Sequence, residues 1–425
     1  MLKSDSRFLV AHGMLHRVAV TSFPKSEIKI LLLEGIHPVA KEAFATEGYS
    51  VEALSGALGE AELAERVRDV HLLGIRSKTQ VTQAALAEAR RLLSIGAFCI
   101  GTNQIALRAA ARHGVPVFNA PFSNTRSVAE LVIAEIVILS RHVGDRSREV
   151  HEGVWRKVAV GSHEVRGRTL GIIGYGHIGS QVGVLAESMG LRVLFYDTAS
   201  KLPMGNNRSV PRLEDLLPVS DFVTLHVPET PQTKDMIGSE ELAIMKPGAC
   251  LLNASRGTVV DIGALAAALK SGHLGGAAID VFPEEPERNG AGFESPLRGV
   301  SNVILTPHIG GSTEEAQEAI GREVSTSLIK FVNTGTTAGS VNFPQVELPL
   351  SRDAHRILNC HRNVPGVLRD INKIVSDMNA NIRAQVLSTD QDIGYLVMDL
   401  DQDVAQDVRN GIAALDTNIR TRILF

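Results

Sequence analysis

Thr169-Leu170-Gly171-Ile172-Ile173-Gly174-Tyr175-Gly176-His177-Ile178-Gly179 is the stretch that decides how this chain folds. An apolar run that reads as a buried strand leads into three glycines spaced G-x-G-x-x-G. A helical pattern continues through Met189 and closes at Gly190, and a second strand, Leu191 to Tyr196, ends at Asp197. Strand, glycine turn, helix, strand and terminal acid together describe a dinucleotide-binding unit. Gly174 permits the tight turn, Gly176 lets backbone approach a pyrophosphate, and Gly179 lets the helix lie close to the sheet. The helix start offers unpaired N–H groups and partial positive charge, so His177 and Ile178 join the glycines as cofactor-binding candidates. Asp197 is placed to accept hydrogen bonds from the adenosine ribose. Its charge would repel a 2′-phosphate, and no Arg follows it, which favours NAD over NADP.

The glycine turn lies far from the N-terminus of a 425-residue chain, so a substantial segment precedes it. That length suits two or three domains. With 44% hydrophobic and 21% charged residues, the composition is that of an ordinary globular protein. A net charge of −4 and the lack of a long basic run argue against nucleic acid or an anionic membrane as partner. Cys99, Cys250 and Cys360 are scattered, so neither a disulfide framework nor a metal site is expected, and a reducing, cytoplasmic location fits. No apolar run is long enough to span a bilayer. Residues 1–27 read as an N-terminal extension.

Upstream of the turn, Ile28–Leu33, Leu72–Ile75 and Leu92–Ile95 read as strands, with helices near Pro38–Glu47, Leu58–Val67 and Thr82–Arg91. This alternation predicts a parallel sheet with helices on both faces. A long, strongly apolar helix follows from about Ser127 to His142. Downstream, strands recur at Phe222–Leu225, Cys250–Asn253, Gly276–Val281 and Val303–Leu305. Asn333–Pro344 reads as a linker from its Thr, Gly, Ser, Asn and Pro content. The last stretch, from His355 to Phe425, has the order βαββαβ, a ferredoxin-like unit. The expected fold is therefore α/β: two Rossmann-like, doubly wound parallel-sheet domains and a small C-terminal domain. The boundaries expected are 28–124 with 312–345 for a discontinuous substrate domain, 125–311 for an inserted NAD domain, and 350–425 for the last.

Three residues after successive strands carry chemistry: Arg256, Glu285 and His308. Ligands of a doubly wound sheet bind at this edge. Hydride transfer from a 2-hydroxy acid needs an imidazole to take the hydroxyl proton. It needs a carboxylate on the far ring nitrogen to fix the tautomer and favour the imidazolium. It also needs a guanidinium to grip the substrate carboxylate with its planar fork.

The chain resembles the D-isomer-specific 2-hydroxyacid dehydrogenase family. The resemblance rests on Arg76–Thr79, Ile100–Asn103, Asn119–Ser127, Gly174–Gly179, Asn253–Gly257, Asp280–Pro286 and Pro307–Ser312. It implies catalysis by Arg256, Glu285 and His308, and a nicotinamide site lined by Ala254, Ser255, Arg256, Asp280, His308, Ile309, Gly310 and Gly311. It further implies NAD-dependent oxidation of 3-phospho-D-glycerate, the entry to L-serine biosynthesis. The substrate would meet backbone N–H groups near Arg76 and Ser77, the cations of Arg76 and Lys78, and Asn103. Some relatives have a Lys where Ser55 stands and an Arg where Lys78 stands, so phosphate contacts are expected to be distributed differently here. The C-terminal unit resembles an ACT domain, which implies an L-serine effector site at His361, Asn363 and Asn381. A homotetramer is implied as well, with Trp155 in a segment that could reach a neighbouring subunit. The alternatives are reduction of hydroxypyruvate or 2-oxoglutarate, with cationic lining from Arg76, Lys78 and Lys157 as the discriminating feature, or a non-enzymatic NAD-sensing corepressor.

Overall fold

A computed structural model describes residues 24–424 except 287–289, 352–353 and 402–404. Residues 1–23 of the expected N-terminal extension, Val404 and Phe425 lie outside the described residues. The chain divides into two compact units. One runs up to Ala120 and resumes at Gly321, and the other is Pro121–Ile320.

The first unit begins with β1 (Lys29–Leu32), α1 (Pro38–Thr46), β2 (Ser50–Ala53), α2 (Glu60–Arg66), β3 (Leu72–Ile75), α3 (Gln83–Glu88), β4 (Ser94–Ala97), α4 (Leu107–Arg112) and β5 (Val117–Phe118). The strands form a parallel sheet in the order β2-β1-β3-β4-β5. Leu31, Leu73, Ile75 and Ile95 are fully buried, as parallel strands covered on both faces must be. Thr82 caps α3 through its hydroxyl, which accepts the Ala85 N–H at 3.3 Å. The strand expected at Leu92–Ile95 begins two residues later, because Leu92 closes the turn after α3 on the Ala89 carbonyl.

The second unit holds α5 (Thr125–Ser140), α6 (Val143–His151), β6 (Thr169–Ile173), α7 (His177–Ser188), β7 (Arg192–Tyr196), β8 (Arg208–Ser209), α8 (Leu213–Leu216), β9 (Phe222–Leu225), α9 (Ser239–Ile244), β10 (Cys250–Asn253), α10 (Ile262–Lys270), β11 (Gly276–Ile279) and β12 (Val303–Leu305). Its seven strands are parallel in the order β12-β11-β10-β9-β6-β7-β8. The order reverses between β6 and β9, and that switch point is where a doubly wound sheet takes its ligand.

The chain then enters α11 (Glu314–Thr334), whose Val324 and Leu328 lie against Gly96 of the first sheet. The stretch read as a linker is instead sewn onto that sheet. Val341 N–H bonds the Val117 carbonyl, and the Asn342 amide bonds Val117, Leu107 and Val115. Thr337, Phe343 and Val346 are buried. Composition suggested a loose tether because polar side chains here satisfy buried backbone rather than solvent.

The C-terminal unit comprises β13 (His355–Arg362), α12 (Val367–Asp377), β14 (Ile382–Thr389), β15 (Ile393–Leu400), α13 (Ala405–Ala413) and β16 (Asn418–Leu424). Its antiparallel sheet has the order β14-β15-β13-β16, the ferredoxin-like arrangement expected. Buried Arg356 fixes this sheet to the strap before it. Its guanidinium grips Asp399 with two bonds of 2.7 and 2.8 Å and donates to the carbonyls of Thr334, Leu348 and Pro349. On the surface, Arg108 and Arg112 of α4 both reach Asp392 in the β14–β15 hairpin.

Candidate active site

The glycine turn joins β6 to α7 with little spare room. Gly174 has φ +90°, and a Cβ there would sit 2.4 Å from the His226 carbonyl oxygen. A Cβ on Gly179 would lie 2.1 Å from the Gly174 carbonyl oxygen. At Gly176 a Cβ would meet nothing within 4 Å, so this glycine borders open space at the helix start. The first N–H groups of α7, from His177, Ile178 and Gly179, have no intrahelical acceptor. Phe122 packs on the His177 ring at 3.9 Å. Asp197 ends β7 and accepts the Tyr175 N–H at 2.8 Å and the Ala199 N–H at 2.9 Å. Each carboxylate oxygen keeps a further lone pair for a ribose hydroxyl. An open glycine cradle, free helix-start donors and an acid at the neighbouring strand end fit a dinucleotide.

The catalytic candidates meet at the other side of the switch point. His308 Nδ1 lies 2.8 Å from Glu285 Oε2. The carboxylate can only accept, so Nδ1 carries the proton and Nε2 is left as the base. The Glu285 hydrogen bond pushes the His308 pKa up, against burial and against the nearby Arg256 charge. Burial would raise Glu285, but the His308 bond, the Phe282 N–H and Arg256 together hold its carboxyl below the usual range. Arg256 therefore acts on both members of the pair, and the three residues are brought together. Its guanidinium donates to the Ser255 carbonyl at 2.6 Å, while Asn253 ties the Arg256 carbonyl and the Ser255 hydroxyl.

The turn carrying His308 is held from beneath. His308 has φ +55°, an uncommon left-handed conformation for a residue with a side chain. Its N–H bonds the Asp280 carbonyl at 2.8 Å. The buried Asp280 carboxylate accepts from the Thr306 hydroxyl and from the N–H groups of Ile309 and Gly310. The Asp280 carboxylate, expected to line the cofactor site, is thus spent largely on tethering this turn. Gly311 sits tight against Asn124, and Ala254 packs at the edge of the core above β10.

In the first unit, Arg76, Ser77 and Lys78 follow β3. Glu34 accepts the N–H groups of Arg76, Lys78 and Thr79 at 3.2, 2.9 and 2.8 Å. The Arg76 N–H, expected to meet a substrate carboxylate, is already engaged by Glu34. The side chains of Arg76 and Lys78 form no ion pair among the described residues. Asn103 is exposed in the turn before α4, and its neighbour Gln104 donates to the Arg76 carbonyl at 2.6 Å.

In the C-terminal unit, His361 Nδ1 bonds Asn359 Oδ1 at 2.9 Å, and Nε2 lies over Gly394, 2.3 Å from where a Cβ would be. Burial lowers the His361 pKa, so the ring is neutral and Nε2 is an acceptor. Asn363 donates to the Asp390 carbonyl at 2.6 Å. Asn381 does not join them. His361 opposes Gly394, whereas Ile382, next to Asn381, opposes Leu400 at the far end of β15. Six residues of strand separate the two places by roughly 20 Å.

Residues 133–310 match the D-isomer specific 2-hydroxyacid dehydrogenase, NAD binding domain, and residues 357–420 match the AHAS small subunit-like ACT domain. Over 405 residues the chain is 57% identical to D-3-phosphoglycerate dehydrogenase of Dictyostelium discoideum, covering 95% of this chain and 99% of that one. The chain belongs to the D-isomer-specific 2-hydroxyacid dehydrogenase family. It is also 54% identical over 411 residues to D-3-phosphoglycerate dehydrogenase of Escherichia coli K12, spanning 96% of this chain and all of that one. Among solved structures, D-lactate dehydrogenase from Aquifex aeolicus, complexed with NAD and lactic acid, superposes with a TM-score of 0.64 at 28% identity. That match covers 74% of this chain and 100% of the other. Membership of the family accounts for an NAD-binding unit inserted within another.

Sequence reading passed over several residues that brace the candidate residues within each unit. Glu34 and Gln104 brace the Arg76–Thr79 loop, and Asn124 packs under Gly311. His226 lies beside Gly174, with Nε2 3.1 Å from the Thr224 hydroxyl, and burial pushes its pKa down to about 3. Their partners are distant in sequence, so no local spacing points to them. Glu135 carries a signal that was readable: it is an acid within the apolar run Leu131–Leu139. Among the described residues no helix is long and apolar enough to cross a membrane, and no group of acids, His and Cys among them is arranged to hold a metal.

Proposed function

We propose that this protein oxidises 3-phospho-D-glycerate to 3-phosphohydroxypyruvate with NAD, opening L-serine biosynthesis. The observation that carries the reading is the His308–Glu285 pair beside Arg256, next to a turn built for a dinucleotide. His308 Nε2 takes the substrate hydroxyl proton, and Glu285 stabilises the resulting imidazolium. Arg256 holds the substrate carboxylate by its planar fork and polarises the carbonyl as it forms. Bound at the Gly174–Gly179 turn, NAD would supply the hydride acceptor. The cations of Arg76 and Lys78 suit the phosphate, a second anionic group that hydroxypyruvate lacks.

L-serine is the effector proposed for the ACT unit. The neutral His361 Nε2 is an acceptor for its ammonium, and Asn363 offers an amide beside it. A site that also uses Asn381 takes that residue from a second copy, since one chain holds it at the other end of the sheet. This supports a homotetramer, as does the exposed apolar run of Val150, Val154, Trp155 and Val160. A cytoplasmic location is proposed with it. Initial rates with NAD and 3-phosphoglycerate, with and without L-serine, test the reading. No turnover of phosphoglycerate would sink the catalytic assignment, and rates unmoved by serine would sink the regulatory one.

A further inference from the structure

Among the buried polar groups of the NAD unit, Glu135 stands apart. It lies in the middle of α5 and is 2% exposed. Its Oε1 is buried without a hydrogen-bond partner among the described residues. An acid in that position costs stability unless it does something. Its neighbours suggest what that is. Val128, Leu131 and Glu135 lie along one face of α5 at helical spacing. Val128 and Leu131 lie 3.7 Å from the place a Gly310 Cβ would take, against the turn that carries His308. Helical side chains lean toward the N-terminus, so the Glu135 carboxyl extends back toward that turn. Asp280 Oδ2 borders the same Gly310 position, 2.9 Å from that Cβ, and the Asp280 carboxylate, which tethers Thr306, Ile309 and Gly310, is the charge that acts on Glu135.

We propose that Glu135 is a positioning residue for the catalytic histidine: lodged behind Asp280, it sets whether the Asp280 carboxylate can hold the 308–310 turn. Two carboxylates in one dry place cannot both be charged without cost. Asp280 is committed to its three donors as an anion, so Glu135 is the member that stays neutral. Burial and the Asp280 charge push its pKa up to about 8. The elements around α5 carry His177 and Glu187 on α7, Asp145, Arg146, Arg148, Glu149 and His151 on α6, Cys250 on β10 and Asp280 after β11; of these only Asp280 acts on Glu135 by charge. Below that point the pair carries one charge and the turn is held. Above it a second charge appears behind Asp280, the tether loosens, and His308 loses its left-handed setting. The reaction is thereby given an alkaline limit by a group that touches neither substrate nor cofactor.

The inference rests on the proposed activity, and the test separates the two. Rates of phosphoglycerate oxidation are measured across pH for the full chain and for Glu135→Gln, a neutral isostere. The wild type is expected to lose kcat above about pH 8, by up to ~tenfold per pH unit for a single ionisation. The Gln variant is expected to lack that loss while matching the wild type near neutrality. Amide hydrogen exchange at Ile309–Gly311 in the cofactor-free protein gives a readout independent of turnover. Protection there should fall above the same pH in the wild type only, after correction for intrinsic rates. Should Gln not fold, Glu135→Leu introduces no buried polar group and should show the same two changes. Stability measured against pH exposes a purely structural role. A carboxyl with a raised folded pKa lowers stability progressively from its unfolded pKa of 4.5 up to about 8, then no further. A stability difference confined to that window, with superimposable rate and exchange profiles above it, overturns the proposal. Absence of turnover with a normal exchange transition would instead overturn only the assigned substrate.

Discussion

Replacing Gly179 by Ala tests how much of the cofactor site is set by one contact. The added Cβ would stand 2.1 Å from the Gly174 carbonyl oxygen, where ordinary contact begins at 3.4 Å, so the helix start must retreat by about 1.3 Å. The obstacle is backbone, with no flexible side chain to swing aside. Overpacking of this kind costs roughly 1–3 kcal/mol. In a unit of this size each kcal/mol lowers the melting temperature by about 2–4 °C. The retreat also carries away the N–H groups of His177, Ile178 and Gly179 from the pyrophosphate. Losing one hydrogen bond to a charged phosphate costs about 1.5–3 kcal/mol, roughly 10–10²-fold in affinity. Gly179→Ala should therefore melt several degrees lower and bind NAD roughly 10–10²-fold more weakly, read by calorimetry and scanning fluorimetry. Gly176→Ala is the control. Its Cβ meets nothing within 4 Å and its φ of −83° is not left-handed, though its ψ of −153° lies past the usual β range, so the melting temperature should fall less than for Gly179→Ala while NAD binding falls. A Gly179→Ala protein with wild-type affinity and stability would refute the close-approach reasoning.

Other outcomes follow from named contacts. His308→Ala should lower kcat by roughly 10²–10⁴-fold while NAD affinity measured by calorimetry stays near wild type. Glu285 raises the His308 pKa, so Glu285→Gln should move the acid limb of kcat/KM for oxidation to lower pH, with a lower plateau; an unmoved limb would contradict the pairing. Arg356→Ala strands the buried Asp399 carboxylate, and urea unfolding should report a loss of about 3–5 kcal/mol. Asp392→Asn cuts the link from the hairpin beside Asn363 to α4, which should weaken serine inhibition and leave the uninhibited rate unchanged; equal inhibition curves would remove α4 from the regulatory route.

The β6–α7–β7 unit was legible because its parts are local. Apolar runs, turn glycines and the acid at Asp197 occupy one short stretch, and each acts on its near neighbours. Arg256, Glu285 and His308 were legible by residue type after successive strands. What escaped depends on distance. β2 is an edge strand with mostly exposed residues, and it offers no apolar run to read. The strap after α11 looks like a tether until Asn342 is seen pairing with residues more than two hundred positions earlier. Glu34 gave no sign of bracing a loop over forty residues away. Asn381 shows the reverse case: its side chain type fits an effector site, but strand register places it at the other end of the sheet from His361 of the same chain.

That register has a thermodynamic consequence. If serine is gripped by His361 and Asn363 of one chain and Asn381 of another, ligand binding and subunit association share one equilibrium. Serine then strengthens assembly by as much as assembly strengthens serine binding. Dilution of the enzyme should desensitise it, and the half-inhibitory serine concentration becomes a function of how much enzyme is present. The small sheet would then read crowding of its own kind along with the amino acid.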